Sequence, residues 1–138
     1  MPANASEKMR GLIYPWGAQA SPAAGTPVRV AEGVWWLRFP MPMSLDHINL
    51  WLLEDGEGWT IVDTCLDIDT ARTLWESLFD GFMGGKPVRR VICTHLHVDH
   101  VGWNTRLENG RWVPTFPKAP YVFGQTAFDY WTETHPKT

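Results

Sequence analysis

The chain has 138 residues, 44% hydrophobic and 20% charged, a globular composition long enough for one domain and too short for two. Its formal net charge of -3, with twelve Lys and Arg that form no long run, excludes a basic nucleic-acid-binding face. No apolar stretch approaches the roughly 18 residues that span a bilayer. Pro15 interrupts Gly11-Leu12-Ile13-Tyr14 before it becomes a signal-peptide core, so a cytoplasmic protein is expected.

Residues 1–26, rich in Ala, Pro and Gly, read as a flexible N-terminal arm, and residues 27–138 as the domain. Val28-Arg29-Val30 and Val34 to Phe39, broken at Glu32-Gly33, predict a hairpin that Pro40 and Pro42 end. Ile48 to Leu53 and Trp59 to Asp63 flank Asp55-Gly56-Glu57-Gly58 as a second hairpin. Ala71, Leu74, Trp75, Leu78, Phe79 and Phe82 then form one apolar stripe at helical spacing, with Asp67 or Asp69 to cap its start and Gly84-Gly85 its end. Val88 to Cys93 reads as a buried strand, Val101 to Asn109 as a short helix stopped by Gly110, Tyr121 to Phe123 as a strand and the residues from Thr126 as a last helix. A mixed sheet with flanking helices fits this order, an α+β arrangement. The nine Trp are expected in the core, with an apolar substrate cleft or a subunit contact as the alternative for some, and Cys65 and Cys93 are expected as reduced, partly buried thiols.

The most informative stretch follows the buried strand: Thr94-His95-Leu96-His97-Val98-Asp99-His100. Three imidazoles and a carboxylate within six positions are ligands for a divalent metal of the zinc or iron type. If the backbone stays extended through His95 and His97, alternation puts both rings on one face. Asp99 and His100 are adjacent, so a turn or a first helical turn is needed before they serve a second ion beside the first. Two neighbouring cations sharing a water supply hydroxide at neutral pH.

Together these features resemble the metallo-β-lactamase superfamily. Residues 94–102 match its His-x-His-x-Asp-His signature followed by a small or apolar pair, Thr60-Ile61-Val62-Asp63-Thr64 resembles the strand that ends in the family's first-motif aspartate, and Asn49-Leu50-Trp51-Leu52-Leu53 resembles an upstream family strand. The resemblance implies an αββα sandwich, with this chain as the first, N-terminal half of it. It implies that His95 and His97 bind one metal and that Asp99 and His100 bind the other. Asp63 would orient the loop and its ligands without touching metal. It further implies a hydrolase holding two zinc ions, iron or manganese less so, acting on an ester, lactone, thioester or related small-molecule substrate, with Asp99 also passing a proton to the leaving group. Short stretches downstream are similar to lactonases and methyl parathion hydrolase, and stretches upstream to the hydroxyacylglutathione-hydrolase-like branch, so the substrate stays open.

Two departures from the family stand out. Cys65 occupies the place where the family usually has Gly, and a packed thiol is expected there, with a stray ligand or an oxidation site as the alternative. The family's later ligands (a third His on one metal, an Asp bridging both, a final His on the other) have no match after His100. His135 sits in a Pro-flanked tail and is a poor substitute, and His47 reads as a structural or substrate-side residue. Neither metal would then have a complete protein shell, and one sheet face would lack its cover, an invitation to homo-oligomers. Two other functions compete: an iron-binding oxidoreductase of the same fold, which needs iron and oxygen consumption, and a non-catalytic truncated or assembly fragment, which needs weak metal binding and no turnover.

Overall fold

The structure, a computed structural model, describes residues 7–17 and 20–134. Within the stretch read as an arm, β1 (Glu7–Met9) and β2 (Leu12–Tyr14) pair as a small antiparallel hairpin. The principal sheet has six strands: β3 (Val28–Ala31), β4 (Val34–Pro40), β5 (His47–Asp55), β6 (Gly58–Val62), β7 (Val88–Ile92) and, at its far edge, the short strand Tyr121–Val122. Strands β3 to β6 run as an antiparallel meander. Helix α1 (Asp69–Asp80) then carries the chain back, so that β7 lies parallel to β6, as a helical crossover requires. The edge strand adds in parallel to β7.

The core lies where α1 covers one face of this sheet. Leu37, Phe39, Leu50, Leu52 and Ile61 are fully buried, as are Ala71 and Trp75 from the helix. The Phe39 and Trp75 rings meet at 5.1 Å, and the Trp75 indole N–H donates to the Thr64 carbonyl at 2.9 Å, so this large side chain is both packed and satisfied. Of the nine Trp, only Trp59, Trp75 and Trp103 are buried. On the other face Trp36 stacks on its cross-strand partner Trp51 at 6.3 Å, and Trp16 leans on Trp36 at 6.3 Å.

Three local expectations are corrected. The N-cap of α1 is Ile68, with no side-chain cap; Asp67 instead accepts from the Arg72 guanidinium at 2.9 Å, and the helix closes at Gly81, before Gly84-Gly85. The extended backbone ends at Ile92, short of His95 and His97, so strand alternation does not place those rings. The helix expected over 101–109 is one turn, α2 (Val98–Val101), followed by the hairpin β8 (Thr105–Glu108) and β9 (Arg111–Pro114). Asn109 and Gly110 at its tip both have positive φ, 51° and 76°, the backbone that an Asn-Gly hairpin turn demands. The edge strand, β10, leads into α3 (Gln125–Thr134). Among the described residues no helix is long and apolar enough to cross a membrane. His135 lies outside the described residues.

Candidate metal centre

Val62 and Ile92 are register partners at the carboxyl ends of β6 and β7, and this sets the next residues of both strands side by side. The Asp63 amide donates to the Ile92 carbonyl at 2.9 Å, then the chain turns sharply. Asp63 and Cys65 both sit in the left-handed region, at φ 63° and 72°, a conformation that disfavours side chains other than glycine. The turn is held by Thr64: its amide donates to the His100 carbonyl at 2.8 Å, and its hydroxyl donates to Asn104 Oδ1 at 2.9 Å and accepts from the Trp103 amide at 3.2 Å. The loop after β6 is thereby tied to the C-terminal end of α2 and the residues just beyond it.

Asp63 is buried, at 3% exposure, and spends its carboxylate on the histidine loop. Oδ1 accepts from the Thr94 amide at 2.8 Å, and Oδ2 from the Thr94 hydroxyl at 2.6 Å. His100 Nδ1 stands 2.7 Å from the same Oδ2. The three imidazoles cluster: His95 lies 3.8 Å from His100 and 4.7 Å from His97, ring centre to ring centre, the latter edge to face. His97 is the N-cap residue of α2, and Asp99 and His100 lie within its single turn. All four candidate donors, with Asp63 behind them, are therefore gathered at one end of the sheet.

Among the described residues no group of three or more His, Cys, Asp or Glu side chains converges to hold one metal ion. What the geometry offers is closer to a pair. His100 Nε2 and Asp99 Oδ2 are 3.3 Å apart. Two donors of one tetrahedral zinc, each at ~2.1 Å, stand ~3.4 Å apart. His100 Nδ1 faces Asp63, and its other ring nitrogen, Nε2, faces Asp99. With the ring neutral and its hydrogen on Nδ1, Nε2 and Asp99 Oδ2 would be two donor atoms for a cation between them; with the ring protonated, both N–H groups would donate to the carboxylates. The donor set, imidazole plus carboxylate, suits zinc or iron. The residues present thus fit part of a metal shell.

His47, at the start of β5, has Nδ1 2.8 Å from Asp46 Oδ1. Cys65 is fully buried beside the centre, and burial pushes its thiol up to about 11. Burial likewise raises the Cys93 thiol, whose sulfur accepts from Asn104 Nδ2 at 3.2 Å. Thr94, Thr64 and Asn104 are working residues that sequence reasoning passed over, because a hydroxyl or amide beside a motif carries no pattern until its partner is known. An open, largely apolar cleft of about 470 Å³ adjoins the loop, lined by Leu96, Val101, Tyr121, Phe123 and Trp131.

The family model for the metallo-beta-lactamase superfamily matches residues 43–137, and the chain belongs to that superfamily. Among solved structures it is similar to a beta-lactamase domain protein from Burkholderia ambifaria, at 42% identity and a TM-score of 0.65 over 82% of this chain and 34% of that one. The metallo-beta-lactamase FIM-1 from Pseudomonas aeruginosa, in its mono-zinc form, matches with a TM-score of 0.55 and 20% identity over 88% of this chain and 50% of that one. A metallo beta lactamase from Hirschia baltica matches with a TM-score of 0.51 and 20% identity over 79% and 47% of the two chains. The last two share the fold. The chain spans 34% of the Burkholderia structure and about half of the others. No curated protein matches.

Proposed function

We propose that this chain carries part of the metal centre of a zinc-dependent hydrolase, with His95 and His97 serving one cation position and Asp99 and His100 the adjacent one. Membership of a superfamily rich in metal-dependent hydrolases supports the reaction class. The observation that carries the reading is the 3.3 Å approach of His100 Nε2 to Asp99 Oδ2, with His100 Nδ1 already committed to Asp63. When bound, a divalent cation supplies acidified water as nucleophile and polarises the electrophilic oxygen of the substrate. The chain's own groups do the rest. Asp63 holds the His100 ring so that Nε2 faces the centre. Asp99 takes up the proton that the nucleophile sheds and returns it toward the leaving group. The apolar cleft beside Leu96 and Trp131 shelters the uncharged part of a small ester, lactone or thioester.

Hydrolysis of a chromogenic ester and of a lactone by zinc-loaded protein tests this. A chelator should abolish turnover, and Asp99→Asn should lower kcat by about 100-fold or more. Turnover that survives both treatments contradicts the proposal. Iron in the purified protein together with oxygen consumption would replace it with an oxidoreductase.

A further inference from the structure

We infer that Thr94 is a positioning residue: its hydroxyl, anchored on Asp63, holds His95 in the tautomer that turns Nε2 outward and couples that ring to His100. This rests on the metal-site reading above but makes a claim of its own about the metal-free protein. A threonine hydroxyl has one proton to give and lone pairs to receive. At 2.6 Å from the buried carboxylate, the Thr94 proton is directed to Asp63 Oδ2, a charge-assisted bond stronger than any neutral alternative. The second contact of that hydroxyl is His95 Nδ1, at 3.1 Å. With its own proton spent, Oγ1 accepts there, so the ring must carry its hydrogen on Nδ1 and leave Nε2 as a lone pair. His100 reaches the same Oδ2 through its Nδ1 at 2.7 Å, with Thr94 Oγ1 3.4 Å away. The Thr94 amide on Oδ1 at 2.8 Å stops the carboxylate from swinging. Two rings from different donor pairs, 3.8 Å apart, therefore share one anchor, and Thr94 is the link that extends it to His95.

The test combines ¹⁵N spectra of the imidazoles in metal-free protein at about pH 8, where unperturbed imidazoles are neutral, with zinc equilibrium dialysis. The wild-type chain should show His95 as the Nδ1–H tautomer. Thr94→Val should mix its tautomers and weaken zinc binding about 10- to 100-fold, as losses of ligand support do. Thr94→Ser should restore both. A wild-type His95 protonated on Nε2 overturns the inference, even if the valine variant fails to fold. So does a folded Thr94→Val protein with the wild-type tautomer and affinity. Wild-type protein that binds no zinc defeats the hydrolase proposal instead, and the tautomer still decides the part played by Thr94.

Discussion

Asp63 and Cys65 show what single residues contribute to this centre. Asp63 accepts two bonds from Thr94 and faces His100 while 3% exposed, so no oxygen of the carboxylate is spare. Asp63→Asn places an amide N–H₂ against at least one of these donors and should destabilise the fold by about 1–3 kcal/mol, the usual scale for a buried polar group left unsatisfied. Chemical denaturation measures this, and an unchanged midpoint would contradict the hydrogen-bond assignment. Cys65 is held neutral by burial, which lifts its thiol from an ordinary 9.0 to about 11. Above pH 9 the unfolded chain releases this proton while the folded chain keeps it. The stability contribution is therefore whole below pH 9 and declines as pH climbs toward 11. Denaturation midpoints should fall between pH 8.5 and 10.5, and Cys65→Ala should flatten that slope; a slope unaltered by the substitution would show that other groups set it.

At the scale of elements, the centre depends on how closely α2 approaches the loop after β6. A Cβ placed on Gly102 would lie 2.5 Å from the Asp67 amide nitrogen, 2.7 Å from the Cys65 carbonyl oxygen and 2.8 Å from the Leu66 carbonyl carbon. These are backbone atoms and cannot swing aside. Gly102→Ala should push α2 away from Thr64, destabilise the protein by about 1–3 kcal/mol and reduce zinc binding in parallel; a variant with wild-type stability and binding would show that the approach is looser. Sequence patterning was strong enough to reveal the meander and the stripe of α1, because each buries one face against a partner. The strand expected over Val88 to Cys93 forms as β7, but Arg89 and Arg90 are exposed and only Val91 of β7 is buried. Patterning failed where tertiary partners decide. Val101 to Asn109 has a helical look, but Asn109-Gly110 favours a hairpin tip, and pairing with Arg111–Pro114 overrides the weak local preference. The four candidate donors stand within one short motif, whereas the tie from Thr94 through Asp63 to His100 spans 37 positions of sequence and appears only when β6 and β7 lie together.

For the molecule as a whole, α1 covers one face of the six-stranded sheet, and the other carries half-buried Trp36 and Trp51. Association of copies through this second face is proposed from that aromatic surface. Sedimentation should show mass rising with concentration, reduced by Trp51→Ser; a constant mass would rule it out. The candidate metal centre is at the carboxyl ends of β6 and β7, where the loop after β6 and the single turn of α2 meet. The most direct measurement is metal content by elemental analysis after dialysis of wild-type and His97→Ala protein against zinc. Zinc bound in stoichiometric amount by the wild-type chain and largely lost from the variant is the predicted result. A wild-type chain that retains none, or a variant that retains as much, would contradict a cation site built on this histidine loop.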